Sequence, residues 1–146
     1  MMGYSAKSLE AIYANRKPLL TALTSLQVSE VIIRYEGGSD SGEVSDLCLL
    51  PENAEVSQQL TTKQIKYHCL AGEYREGEYH YHLEEQLMSL DAALRDFALT
   101  WVDAHHGGWE NNEGGAGVIT INVAEPNFQL EHIEYYTEST GYEHTL

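Results

Sequence analysis

The chain has 146 residues and a formal net charge of −15, from 23 acidic and 8 basic side chains. That length and a hydrophobic content of 42% are typical of one globular domain with its own core, and they exclude a disordered chain. The shortage of Lys and Arg disfavours direct binding to nucleic acid or to an anionic membrane, because both attract cationic side chains.

Most of the negative charge lies in the second half of the chain. Residues 1–70 carry 8 acidic and 6 basic side chains, whereas residues 71–146 carry 15 acidic and 2 basic ones. Charge of one sign repels itself in a compact fold and attracts surfaces of the other sign. We therefore expect a basic partner, although an acidic surface can also serve solubility alone, as in a simple accessory domain.

The first half of the chain predicts a helix followed by a β-hairpin. Apolar residues recur at helical spacing over residues 5–27, and Pro18 within them predicts a kink or two shorter helices. Residues 30–36 and 43–50 are rich in β-branched side chains and flank a Gly/Ser/Asp loop, which favours two paired strands. The polar residues 52–64 predict only a short helical turn.

The second half predicts a long helix and two more strands. Residues 65–82, rich in Tyr and His, favour an extra hairpin or an extended excursion. Residues 83–106 predict an amphipathic helix, and strands follow at 118–123 and 128–136. The apolar stripe of that helix is Leu83, Leu87, Leu90, Leu94, Phe97 and Trp101. The order α-β-β-α-β-β predicts a single α+β domain over residues 1–146, with an antiparallel sheet of about four strands and helices on one face.

Two glycine-rich loops, residues 36–43 and 106–115, are candidate ligand-binding segments. If they meet in a pocket, they indicate a small enzyme or a ligand or metal binder. The acid/base or metal cluster would then comprise Glu36, Asp40, His106, Glu110 and Glu113. The first loop lacks the acidic spacing of a calcium loop and the Lys of a phosphate-binding loop.

Histidines supply a weak case for a metal. His80 and His82 would share one face of a strand, and a third ligand would come from His68, His105 or His106. No HExxH or paired-cysteine spacing supports such a site, so we expect no metal and no cofactor.

The cysteines and the N-terminal residues indicate the cellular compartment of the protein. Cys48 and Cys69 lie apart in apolar runs, which favours free thiols over a disulfide. No charged-then-apolar segment of the signal-peptide type is present, and we expect a cytoplasmic protein of bacterial origin.

The function that the residues favour is an acidic protein-binding module rather than an enzyme. Its sharpest form is a nucleic-acid mimic that inhibits a host defence or nucleic-acid-processing complex, with carboxylates in place of phosphates and tyrosines as interface anchors. The partner would be a basic protein or nucleoprotein complex, and no residue is assigned to catalysis. The expected partner-binding residues are Glu73, Tyr74, Glu76, Glu78, Tyr79, Tyr81, Glu84, Glu85, Asp91, Asp96, Trp109, Glu110 and Glu113.

Three motifs resemble those of a known but uncharacterised family. They are YEGGSDSG at 35–42, HGGWENNEGG at 106–115, and a tail with YYTE at 135–138. The family consists of small acidic proteins of bacteria, plasmids and phages. The resemblance covers about residues 30–50 and 83–146 and leaves 52–82 without a counterpart. It implies an origin on a mobile element and no particular reaction.

Overall fold

The computed structural model describes residues 4–38, 41–106 and 114–134. These residues form three helices and six strands, and a helix–strand–strand unit occurs three times along the chain. The elements are α1 (Tyr4–Ser25), β1 (Glu30–Gly38), β2 (Ser41–Leu50), α2 (Ala54–Thr62), β3 (Gln64–Arg75), β4 (Glu78–Ser89), α3 (Leu90–His105), β5 (Gly115–Asn122) and β6 (Asn127–Glu134).

The first and third units build one four-stranded antiparallel sheet, in the order β2-β1-β5-β6. The second unit contributes α2 and a separate two-stranded sheet of β3 and β4. The predicted α+β class, the four-stranded antiparallel sheet and the α-β-β-α-β-β order are confirmed. The hairpin unit is inserted in the chain between the two halves of that order.

The core lies between the four-stranded sheet and helices α1 and α3. Val31, Ile33 and Tyr35 are almost fully buried, and they share a face because side chains alternate along a strand. Their neighbours on β5 are Ile121 and Ile119, which pair in register with Val31 and Ile33. Helix side chains close the core from the other side: Ile12, Leu19, Leu23, Leu90, Leu94, Phe97 and Val102.

Helix α1 is continuous, although it contains Pro18. A proline removes one backbone hydrogen bond from a helix. Leu19 and Leu23, in the turns that follow it, are fully buried in the core, and this packing holds the helix together. No helix in the described part of the chain is long and apolar enough to cross a membrane.

The predicted helix over residues 83–106 is wrong in its first seven residues. Residues 83–89 belong to β4 and pair with β3, and the helix begins at Leu90. Leu83 and Leu87 are four residues apart, which places them on one face of a helix and also on one face of a strand. The cap decides the boundary, because the Ser89 hydroxyl accepts a hydrogen bond from the Ala92 N–H at 3.1 Å. Residues 54–62 are likewise a nine-residue helix, α2, where only a short turn was predicted.

The β3–β4 hairpin is long and regular, with twelve residues in each strand. It therefore extends beyond the predicted bounds of 65–82. Arg75 pairs with Glu78 across a two-residue turn, in which Glu76 and Gly77 have φ of 53° and 83°. Positive φ at both central positions matches the right-handed twist of the strands.

Helix α1 closes the free edge of β3 through one side chain. The Asn15 amide donates to the His68 carbonyl at 2.8 Å and accepts from the His68 N–H at 2.7 Å. Asn15 is fully buried, so its amide takes the place of a neighbouring strand at this point. The base of the hairpin is thereby tied to the core.

Candidate functional site

The outer end of the hairpin stands clear of the rest of the described structure. Every residue from Gly72 to His80 is exposed. Three of the predicted partner-binding carboxylates, Glu73, Glu76 and Glu78, lie in this stretch. An isolated two-stranded hairpin has little stability of its own, and here its base is held by the core while its end remains open to a partner.

Three tyrosines form a cluster on one face of that end. Tyr74 pairs in register with Tyr79, and Tyr81 lies two residues further along the same strand, so their rings project to the same side. Ring centroids are 5.6 Å apart for Tyr74 and Tyr79 and 5.9 Å apart for Tyr79 and Tyr81. The side chains of Tyr74 and Tyr79 are 65% and 55% exposed. Gly72, opposite Tyr81, leaves room for its ring, since a Cβ there would lie 3.2 Å from it.

The carboxylates of the hairpin are divided between its two faces. Glu73, Glu78 and Glu84 alternate with the tyrosines and project to the opposite side, whereas Glu85 projects to the tyrosine side. Two of them have partners: Glu84 lies 3.0 Å from His82, and Glu73 lies 3.7 Å from Arg75. These contacts are exposed and contribute little to stability, so the carboxylates remain accessible.

Asp91 and Asp96 lie on α3, away from the hairpin end, and both interact within the chain. Asp91 forms an ion pair with Arg95 at 3.1 Å. Asp96 accepts a hydrogen bond from the Tyr67 hydroxyl at 2.8 Å. Burial raises the pKa of Tyr67, and the negative charge of Asp96 raises it further. Asp96 therefore positions α3 against the hairpin base, whereas the Asp91–Arg95 pair lies within α3. Trp109, Glu110 and Glu113 lie outside the described residues.

The described ends of the two glycine-rich loops meet at one end of the four-stranded sheet, where its central strands β1 and β5 pair. Gly37, at the start of the first loop, pairs in register with Gly115, at the end of the second. Gly114 has a φ of 81°, and a Cβ on it would overlap the Gly37 carbonyl. Only glycine fits such a close approach of two backbones. Of the residues proposed for a cluster here, Asp40, Glu110 and Glu113 lie outside the described residues.

Beside this junction lies a group of three ring side chains that sequence reasoning missed. Tyr35 and His132 are hydrogen-bonded at 2.5 Å between the hydroxyl and Nδ1. The His132 ring also stacks on that of His106, with centroids 4.1 Å apart. Burial raises the pKa of Tyr35. The three residues come from β1, β6 and the end of α3, and no local pattern in the sequence connects them. Glu36, from the proposed cluster, is exposed, and strand alternation places it on the opposite side of β1 from Tyr35.

The histidines considered for a metal do not converge. His80 and His82 share a face of β4, whereas His68 projects to the other face of the hairpin. Within residues 4–38, 41–106 and 114–134, no group of three or more His, Cys, Asp or Glu side chains is arranged to hold a metal ion.

The fold and these surfaces define a small α+β protein with a four-stranded sheet and an inserted, projecting hairpin. The chain belongs to a family of unknown function, DUF6878, which it matches over residues 11–146. The matched region includes residues 52–82, for which the sequence resemblance indicated no counterpart. No curated protein and no solved structure gives a significant match to the chain.

Proposed function

We propose that the chain is an acidic protein-binding module that docks the end of its β3–β4 hairpin on a basic surface of a partner. The observation that carries this proposal is the full exposure of Gly72 to His80, which presents carboxylates and tyrosines together. The net charge of −15 supports it, because charge complementarity accelerates the encounter with a basic partner.

The chemistry of the hairpin end suits such docking. Tyr74 and Tyr79 are rigid aromatic side chains with polar ends, the type that contributes most at protein interfaces. Glu76 and Glu78, at the turn, supply negative charge beside them. Since the two faces of a hairpin differ, a cleft in the partner would contact tyrosines on one side and carboxylates on the other.

The specific form of the proposal is a nucleic-acid mimic, encoded by a mobile element, that inhibits a host defence or nucleic-acid-processing complex. Carboxylates spaced along a strand would then occupy phosphate-binding positions of the target. Direct binding of nucleic acid is not part of the proposal, since the hairpin from Gly72 to Ser89 has a single cationic side chain, Arg75.

The test is capture of partners from host cells on the immobilised chain, with two variants of equal charge change. Glu76→Lys/Glu78→Lys reverses charge at the hairpin end, and Glu52→Lys/Glu125→Lys makes the same change at exposed sites elsewhere. We expect the first variant to lose the basic proteins that wild type captures and the control to retain them. Added duplex DNA or RNA should compete, and higher salt should weaken capture. Equal capture by wild type and the hairpin variant would overturn the proposal.

A ligand-binding site at the junction of the glycine-rich loops is a second candidate. The adjacency of Gly37 and Gly115, with Tyr35, His106 and His132 beside them, favours it. A ligand that binds only the folded state raises the unfolding temperature. If the junction binds a metal ion, Mg²⁺ or Zn²⁺ should raise that temperature for wild type and not for His106→Ala; no change with either ion would exclude a metal-dependent site.

A further inference from the structure

A groove lined by lysines lies at the base of the hairpin, between α1 and β3, with a volume of about 480 Å³. Lys17 of α1, Lys63 of the α2–β3 connection and Lys66 of β3 line it. Its apolar surface comes from Pro18 and Ile65 among others, and Glu85 is the acidic side chain at its rim. The groove therefore combines positive charge with an apolar floor.

These three lysines differ from the other basic residues of the chain, which has eight in all. Four of the others form ion pairs: Lys7 with Glu10, Arg34 with Asp46, Arg75 with Glu73, and Arg95 with Asp91. Arg16 lies over the Phe128 ring, 5.2 Å from its centroid. Among the described residues, Lys17, Lys63 and Lys66 form no ion pair. A chain with 23 acidic residues thus gathers its unneutralised lysines at one place.

The groove and the tyrosine cluster lie on the same face of the hairpin, at opposite ends. Lys66 and Tyr74 are both on that face, because they are separated by an even number of residues in β3. The separation of eight residues corresponds to roughly 27 Å along the strand. Between and beside them lie apolar side chains of the same face: Leu70, Leu83 and Leu87, the last of which is 66% exposed.

We propose that two copies of the chain associate through this face, with the hairpin end of each copy seated in the lysine groove of the other. A two-fold axis near the pair Leu70 and Leu83 brings the two hairpins together antiparallel, so both end-to-groove contacts form at once. Such an interface is self-complementary and closed. It places the exposed tyrosines and Leu87 in an apolar environment and sets Glu76, at the turn, against the lysines.

Charge complementarity selects a second copy as the occupant. The hairpin end presents Glu76 at its turn, with Glu73 and Glu78 on the reverse face, and the groove carries three lysines and one glutamate. A long polyanion such as nucleic acid would bring only negative charge beside the acidic remainder of the chain, whereas a second copy also brings its own lysine groove and tyrosines. Long-range repulsion between two copies is screened at physiological ionic strength, beyond a Debye length of about 8 Å.

The proposed dimer does not depend on partner binding, but it would affect partner binding. The groove of a second copy and the basic surface of a partner would compete for the same hairpin end. Self-association therefore shields the acidic end until a partner displaces it. The experiment below uses the purified chain alone, so its result and that of partner capture are separate.

Sedimentation velocity across a range of protein concentrations tests the proposal. We expect wild type to form dimers, and Lys63→Glu/Lys66→Glu to raise the dimer dissociation constant by about tenfold or more, since attraction becomes repulsion at both ends. Glu76→Lys/Glu78→Lys should weaken the dimer similarly. The control is Lys7→Glu/Arg34→Glu, which changes the net charge by the same amount as the groove variant but at residues outside the proposed interface. It should leave the dimer intact. Circular dichroism verifies that each variant is folded.

The sharpest result comes from mixing the groove variant, Lys63→Glu/Lys66→Glu, with the hairpin variant, Glu76→Lys/Glu78→Lys. Each variant alone dimerises weakly, because like charges meet at both ends. A mixed pair has opposite charges at both contacts and should form a heterodimer close to wild type in affinity. Leu87→Arg, which leaves the groove charges unchanged, should also weaken the wild-type dimer. A monomeric wild type at all concentrations, or a dimer that tolerates the groove and hairpin variants, would overturn the proposal.

Discussion

The hydroxyl of Tyr35 reaches across strand β5 to the imidazole of His132, and the two side chains meet over Gly117. Tyr35 and His132 both pair in register with Gly117, from β1 and β6 on either side of it. The rings are nearly parallel, with centroids 5.8 Å apart. The middle strand carries no side chain at this position, so one hydrogen bond joins strands that are not neighbours.

Gly117→Ala should destabilise the protein, because a Cβ would overlap the Tyr35 hydroxyl and the Glu131 carbonyl. Overpacking of this kind costs roughly 2–3 kcal/mol of the free energy of unfolding. Urea unfolding measures the loss. Gly72→Ala is the control, since its Cβ would meet only side chains, those of Tyr81 and Tyr79, in an exposed stretch. Equal stability of Gly117→Ala and wild type would show that the Tyr35–His132 contact moves aside freely.

Asn15→Ala should leave the His68 N–H and carbonyl without their side-chain partner at the β3 edge. An unsatisfied buried polar group costs about 1–3 kcal/mol. We expect lower stability and faster hydrogen exchange of the His68 amide. His68→Ala keeps both bonds, because they involve only the backbone, and it should exchange as wild type does. Slow exchange in Asn15→Ala would contradict this role.

Alkaline pH should destabilise the fold through Tyr35 and Tyr67. Burial raises the pKa of both in the folded state, whereas a free tyrosine titrates near pH ~10. Above that pH the unfolded chain loses protons that the folded chain keeps, so stability is full below pH ~10 and falls as pH rises. The expected slope is about 1.4 kcal/mol per pH unit for each buried tyrosine.

Tyr67→Phe isolates one of these two contributions. We expect a shallower loss of stability between pH ~10 and pH ~11.5 than for wild type. Tyr13→Phe is the control, because the Tyr13 side chain is 68% exposed. Identical alkaline profiles for all three proteins would be inconsistent with the burial of Tyr67.

The hairpin end should be dispensable for folding. Replacing residues 74–79 with Asn-Gly leaves Glu73 and His80 on either side of a two-residue turn. Glu73 and His80 pair with each other, as Arg75 and Glu78 do, and the two pairs are two positions apart along the strands. Because pair types alternate along an antiparallel ladder, the shortened hairpin suits the same type of turn. The removed residues are exposed. We expect an unfolding temperature within a few degrees of wild type, measured by circular dichroism, together with loss of partner capture and of the dimer. A chain that fails to fold would show that the hairpin end supports the core.

Several elements were predictable because their signals are local. Residues 30–36 were predicted to form a strand, and β1 covers them, with Val31, Ile33 and Tyr35 buried. The Gly/Ser/Asp loop correctly predicted the antiparallel pairing of β1 with β2. The start of α3 was not predictable from spacing, because Leu83 and Leu87 satisfy a strand and a helix equally well.

The sequence by itself determined the charge of this protein, its α+β class, and the identity of the Tyr- and Glu-rich segment at residues 73–81. Only the tertiary structure decided which of those side chains share a face, since that depends on strand register and not on proximity in the chain. The same holds for Tyr35 with His132 and for the lysines of the groove. Each group is drawn from elements far apart in sequence, and packing of the helices against the sheet and the hairpin brings its members together.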